Sequence, residues 1–283
     1  VPETTENLLD WLDKSQTVRD EITAFPLAAM ASTLDRPIEA EAVPPLWHWL
    51  YFLPVSPLSE AGVDGHPKRG GFLPPVPLPR RMWAGGRLTF HAPLKVGDQA
   101  TRQSTITGIE DKTGRTGRLV FVTVQHDISV AGDVRIEEEH DIVYRDNPGE
   151  TSSNTPGKEP AKAPADETFS RVVTTSPLLL FRYSALTFNG HRIHYDYPYV
   201  TQEEGYPGLI VHGPLIATML VDLVRRQYPD ATLATFAFRA LRPTFAPNSF
   251  TVCGKPSDDG RTLDLWAKDH DGYLTMRATA TLA

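Results

Sequence analysis

The sequence predicts an α+β protein built twice, each half a helix wrapped by antiparallel strands. Three observations predict this. A polar segment divides the chain into near-equal parts, short proline and glycine landmarks recur in both parts, and one strongly apolar helix precedes a run of alternating strands.

The landmarks come first in chain order. Phe25-Pro26-Leu27 is echoed by Ser176-Pro177-Leu178, and Pro44-Pro45-Leu46 by Gly213-Pro214-Leu215. Trp47, His48, Trp49, Tyr51 and Phe52 then form an aromatic run, read as the first half's core helix or as a wall of a ligand pocket. GRLTFHAPLKVGDQA at 86–100 corresponds to RALRPTFAPNSF at 239–250: Pro93 matches Pro243, and the turn pair Gly97-Asp98 matches Pro247-Asn248. Strands are expected over 100–110, 118–128 and 134–144 in the first half, and over 250–255, 262–269 and 273–282 in the second. The last alternates cleanly, with Leu274, Met276, Ala278, Ala280 and Leu282 on one face.

Residues 147–166 read NPGETSSNTPGKEPAKAPAD, without large apolar side chains. Such a stretch cannot bury a core and is expected to be a flexible connector. The domains are therefore 1–146 and 167–283. In the second, Leu215–Gln227 is apolar around most of its circumference, with Thr218, Asp222, Arg225 and Arg226 as the polar stripe. A buried helix is expected, with Gly213 as cap and Pro214 at its first turn.

Composition narrows the function. The net charge of -7, with no basic run, argues against nucleic acid as a partner. No apolar run has membrane-spanning length and no basic-then-apolar leader opens the chain, so no membrane partner is expected. The single cysteine, Cys253, fits a reducing cytoplasm, with a processed mitochondrial matrix protein as the alternative; it is read as a small buried hydrophobe.

The chemistry concentrates in FRYSALTFNGHRIHYDYPYVTQEEGYPGLIVHGP, residues 181–214. Asn189, His191, His194 and Asp196 fall within eight residues, and a helix N-terminus follows at Gly213. Groups that move protons thus stand beside an end that holds negative charge, which suits a carbonyl or thioester. The 18 residues by which the second half exceeds the first between matched landmarks lie in this polar segment. A zinc site on His191 and His194 lacks a third ligand at suitable spacing, so no metal is expected, and no nicotinamide or flavin signature appears: no cofactor is called for.

The stretch Tyr183–His194 resembles the type-2 enoyl-CoA hydratase motif of the MaoC-like, double hot-dog family. His194 matches the motif histidine and Ile193 the residue before it. Asn189 stands where that family has an aspartate, and His191-Arg192 replaces Asn-Pro. Val211-His212-Gly213 matches the segment whose glycine amide faces the thioester oxygen. PPLWHWLYF at 44–52, LPRRMWAGG at 78–86 and LTFNGHRIHYD at 186–196 are similar to hydroxyacyl-thioester dehydratase type 2 and to the mesaconyl-C4-CoA and itaconyl-CoA hydratases. The resemblance implies a hydro-lyase that hydrates an α,β-unsaturated acyl-CoA, with a C5-dicarboxylic chain as first choice. The alternatives are a 3-hydroxyacyl-thioester dehydratase of fatty-acid metabolism, a thioesterase, or a non-catalytic acyl-CoA binder. It implies Asn189, His194 and Gly213 as catalytic residues, with Asn189 orienting water and His194 moving the proton; Asp196 or His191 is the rival second group. His191, Tyr195, His212, Trp47, Arg80 and Arg81 are the substrate-binding candidates, the arginines for a carboxylate or for coenzyme A phosphates. A homo-oligomer is compatible with it.

Overall fold

In a computed structural model, residues 7–38, 41–114, 117–146 and 160–283 are described. Most of the connector expected over 147–166 lies outside them; at its described end, Lys162 forms a bridge to Tyr273.

The alternating segments become strands because one face of each finds a core. In chain order they are β1 (Ser15–Glu21), α1 (Ala24–Thr33), β2 (Arg80–Phe90), β3 (Gln99–Gly114), β4 (Gly117–Val130) and β5 (Asp133–Arg145), then β6 (Phe169–Val173), α2 (Pro177–Leu186), α3 (Gly213–Gln227), β7 (Leu233–Ala240), β8 (Phe250–Pro256), β9 (Thr262–Lys268) and β10 (Leu274–Leu282). They form one ten-stranded antiparallel sheet in the order β1-β3-β4-β5-β2-β7-β10-β9-β8-β6. Read outward from the centre, the two sides repeat the same order, strand for strand. The sequence landmarks are thus the marks of one unit laid down twice.

The two units meet where β2 pairs with β7, with Gly85 opposite Arg239 and Gly86 opposite Phe238. A Cβ on Gly85 would lie 2.4 Å from the Phe238 carbonyl oxygen, so the seam closes only over a residue without a side chain.

The expected buried helix is α3. Every residue from Leu215 to Val224 is buried, and the helix packs on β6, β8, β9 and β10. Each large apolar side chain so buried contributes about 1.5–3 kcal/mol. His212, rather than Gly213, is the capping residue; Gly213 is the first helical residue. The polar stripe is not solvated as a whole: Asp222 is buried and ion-paired to Arg171 and Arg226 at 2.7 Å and to Arg36 at 3.2 Å.

The two units differ in their helices. The aromatic run expected as a core helix in the first half forms only a 3-10 turn, Trp47–Leu50, entered through Leu46 in a left-handed conformation. The turn stops after Leu50, where Tyr51 is extended and Phe52 is left-handed with φ 55°; α1 packs against α2 of the other unit. Cys253 is fully buried in β8, and burial pushes its thiol up to about 11, consistent with a packing role.

Candidate active site

The histidine loop is a rigid extension of α2. At the helix end the Thr187 hydroxyl donates to the Tyr183 carbonyl at 2.7 Å, Phe188 turns the chain with φ 49°, and the Asn189 N–H donates to the Ser184 carbonyl at 2.8 Å. The Asn189 side-chain oxygen accepts the His191 N–H at 2.9 Å, a local turn typical of asparagine. A 3-10 turn, Arg192–His194, follows. It is tied to the strand-like segment before α3, where the Ile210 N–H donates to the Ile193 carbonyl at 3.0 Å. That link brings the His-x-x-His loop and the α3 N-terminus together.

His194 is buried, 6% exposed. Its Nδ1 lies 2.7 Å from the Ile210 carbonyl oxygen. A carbonyl only accepts, so Nδ1 carries the hydrogen and Nε2 presents a lone pair, which has no partner among the described residues. Burial pushes the His194 pKa down to about 4, against the opposing pull of the carbonyl, so the ring is neutral at neutral pH. Its face stacks on His212 with centroids 3.6 Å apart, and His191 stands edge-on at 5.5 Å. His212 is fully buried, shares a 2.8 Å hydrogen bond with the Ser184 hydroxyl, and is held well below its ordinary pKa by burial and by the two neighbouring histidines.

Gly213 follows His212 directly. Its N–H is one of the donors left without an intrahelical acceptor at a helix start, and a Cβ there would meet nothing within 4 Å. An open approach therefore leads to an unsatisfied amide at the positive end of α3.

The structure distributes the remaining candidates unevenly. Asp196 faces away, ion-paired to Arg192 at 2.8 Å and accepting the Tyr199 N–H at 3.1 Å; the Tyr199 amide and then Arg192 hold its carboxyl below the usual range. Tyr195 is 48% exposed and its hydroxyl donates to the Gly190 carbonyl at 2.9 Å, which braces the outside of the loop. Trp47 is buried in the turn of the first half. Arg80 is occupied by Glu204, through its carbonyl at 2.8 Å and its carboxylate at 3.3 Å. Arg81, one residue on, has no carboxylate partner among the described residues. It lies against Tyr144, and its charge bears on His191 and His66. The buried Tyr144 hydroxyl has no hydrogen-bond partner of good geometry.

Two residues that sequence reasoning missed join this group. Asp64 and His66, in the long segment between the first half's aromatic turn and β2, reach the His-x-x-His loop. The His66 ring lies 4.1 Å from that of His191. Asp64, His66 and His191 each place one ligand atom within 4.8 Å of the others; His194, the partner considered from local spacing, is not in this group, and both of the other members come from the distant first half. The only local signal was a polar Val-Asp-Gly-His turn far from the motif.

A helix-and-sheet unit repeated across one antiparallel sheet, with the histidine loop in one copy, is the architecture of a double hot-dog protein. The chain belongs to the hydroxyacyl-thioester dehydratase type 2 family, whose pattern matches residues 46–246. It is 45% identical over 276 residues, 96% of each chain, to the mesaconyl-C4-CoA hydratase of Chloroflexus aurantiacus. Its fold is shared with HtdX of Mycobacterium tuberculosis (TM-score 0.66, 18% identity, covering 94% of this chain and 98% of that one). It is shared too with a conserved hypothetical M. tuberculosis protein described as having a double hotdog fold (TM-score 0.53, 13% identity, 98% of each chain). Among the described residues, no helix is long and apolar enough to cross a membrane.

Proposed function

We propose that this protein reversibly hydrates an α,β-unsaturated acyl-CoA thioester, with mesaconyl-C4-CoA or the isomeric itaconyl-CoA as substrate. The observation that supports the reaction type is the stacking of His194, whose Nε2 lone pair has no partner among the described residues, on His212, the residue directly before the Gly213 amide. In hydration, an O–H bond of water breaks as the oxygen bonds to the β-carbon. The proton passes to His194 Nε2. The C=C electron pair moves onto the thioester oxygen, where the Gly213 N–H receives the charge. The His194 imidazolium then gives its proton to the α-carbon as the enolate collapses back to the thioester. One water has been added and His194 is neutral again.

The dicarboxylic substrate is supported by the 45% identical relative and by Arg81. Arg80 is already paired, whereas Arg81 stands against the Tyr144 hydroxyl and near the histidines. We assign Arg81 the free carboxylate of the acyl chain, which a guanidinium binds through two parallel hydrogen bonds. The bacterial relative and the single buried thiol support a cytoplasmic setting.

Loss of the enoyl-thioester absorbance on adding enzyme to mesaconyl-C4-CoA, itaconyl-CoA and crotonyl-CoA tests the reaction. Release of free coenzyme A in place of hydration would identify a thioesterase. The Arg81→Ala variant tests the substrate: kcat/KM should fall about 100-fold on the dicarboxylic thioesters and little on crotonyl-CoA. Equal losses on both would reject the carboxylate assignment.

A further inference from the structure

Hydration by one histidine leaves open what holds the water. Asn189 occupies the position matched to the family's aspartate, yet its side-chain oxygen already accepts the His191 amide. Asp196 is turned away into its pair with Arg192. The Asn189 oxygen keeps one lone pair, and Asp196 is committed to the outside of the loop.

The segment Gly62–His66 of the first half brings a further imidazole to the loop. It is docked on the His-x-x-His loop by backbone contacts. The Arg192 N–H donates to the Asp64 carbonyl at 2.9 Å, and the Arg192 guanidinium to the Val63 carbonyl at 2.9 Å. Gly65, at φ 87°, and Gly190 press backbone to backbone. A Cβ on Gly65 would stand 2.0 Å from the Gly190 carbonyl oxygen, and one on Gly190 2.6 Å from that of Gly65. On this platform the Asp64 carboxylate takes both the His66 N–H and the His66 Nδ1, each at 3.0 Å. An ionised carboxylate only accepts, so His66 Nδ1 carries the hydrogen and Nε2 presents a lone pair. The ring abuts His191, which in turn abuts His194.

We infer that His66, fixed by Asp64, is a catalytic residue that holds the attacking water opposite His194. This rests on the hydratase reading above. Water donates one hydrogen to each imidazole, which leaves both lone pairs of its oxygen free and one of them to face the β-carbon. The O–H bond to His194 breaks as the oxygen–carbon bond forms. The hydrogen held by His66 stays with the oxygen and becomes that of the product hydroxyl. The thioester oxygen takes the displaced electron pair, and His194 returns its proton to the α-carbon. Asp64 acts through His66 and is a positioning residue.

A divalent metal on Asp64, His66 and His191 is the competing use of the same atoms. The guanidinium charges of Arg81 and Arg69 both bear on His66, and a single carboxylate does not offset them together with a dication. The water-holding role needs no added positive charge.

The test uses the full chain with mesaconyl-C4-CoA and crotonyl-CoA, comparing wild type, His66→Ala, His66→Gln and Asp64→Asn, each with near-ultraviolet circular dichroism as a check of folding. His66→Ala should lower kcat about 100-fold with KM changed little. His66→Gln, whose amide oxygen accepts a hydrogen bond, should regain about a tenth of the wild-type rate. Asp64→Asn should lower kcat and alter the acidic limb of its pH profile, because His66 loses the partner that fixes its tautomer. A His66→Ala enzyme as fast as an active wild type overturns the inference alone. So does loss of wild-type activity on chelation that is restored by zinc. A wild type inert on every enoyl thioester overturns the hydratase reading and this inference with it.

Discussion

His194 shows how much one residue's surroundings decide. A histidine in water is half protonated near pH 6.5. Here burial has moved that point to about 4, so the neutral, proton-accepting form persists through the physiological range. The hydration rate should therefore hold as pH falls past 6.5 and drop only on approach to 4, as read from a kcat/KM profile. His194→Ala should cost about 1000-fold in kcat with an unchanged circular dichroism spectrum. Asn189 gives the opposite expectation. Its contribution in the structure is to accept the His191 N–H, which a carboxylate does equally well. Asn189→Asp should retain the rate within a few-fold. Asn189→Ala should lose about ten-fold by freeing the loop.

At the scale of elements, two contacts support the site from a distance. The first is the meeting of Gly65 with Gly190. Adding a methyl at Gly65 forces the backbones apart and demands a left-handed conformation that alanine resists. Gly65→Ala should leave the core folded but lower turnover about 100-fold, a loss that Val63→Ala should not reproduce. The second is Asp222 on α3, buried among three arginines. Asp222→Ala leaves those guanidiniums without their shared partner and should cost about 3 kcal/mol in a urea titration. The elements themselves were mostly legible in the sequence. Alternation located the six strands from 100 to 144 and 250 to 282 to within a few residues, and the apolar circumference of 215–227 located α3. The aromatic run at 47–52 misled, because a helix-like density of apolar side chains does not reveal that Tyr51 is extended and Phe52 left-handed. Asp64 and His66 were illegible for a different reason. Their function arises from docking across 125 positions, and nothing within their own segment shows where that segment lands.

Across the whole molecule, the first half has become a partner rather than a copy. Its interior holds a buried polar group in which His48 meets Glu138 at 3.1 Å, Trp49 donates to the same carboxylate at 3.0 Å, and His126 meets Ser104 at 2.7 Å. Burial pushes His126 down to about 4 and His140 down to about 3. Once unfolded, both rings take up protons near 6.5, so the unfolded chain binds more protons than the folded one below that pH. The stability they allow is complete above about 6.5 and is lost as pH falls toward 4. Glu138, held at about 2, extends the loss below its ordinary range. Urea midpoints measured from pH 8 to pH 5 should stay level to about 6.5 and then decline, and the His126→Phe, His140→Phe double variant should make that decline shallower while the share of the buried His194 and His212 remains.

The mirrored strand order invites the expectation of twin reaction centres, yet only one unit carries the His-x-x-His loop and a full helix opening beside it. Each polypeptide should accordingly take up a single equivalent of a non-reacting product analogue in calorimetric titration, whatever the number of chains that associate.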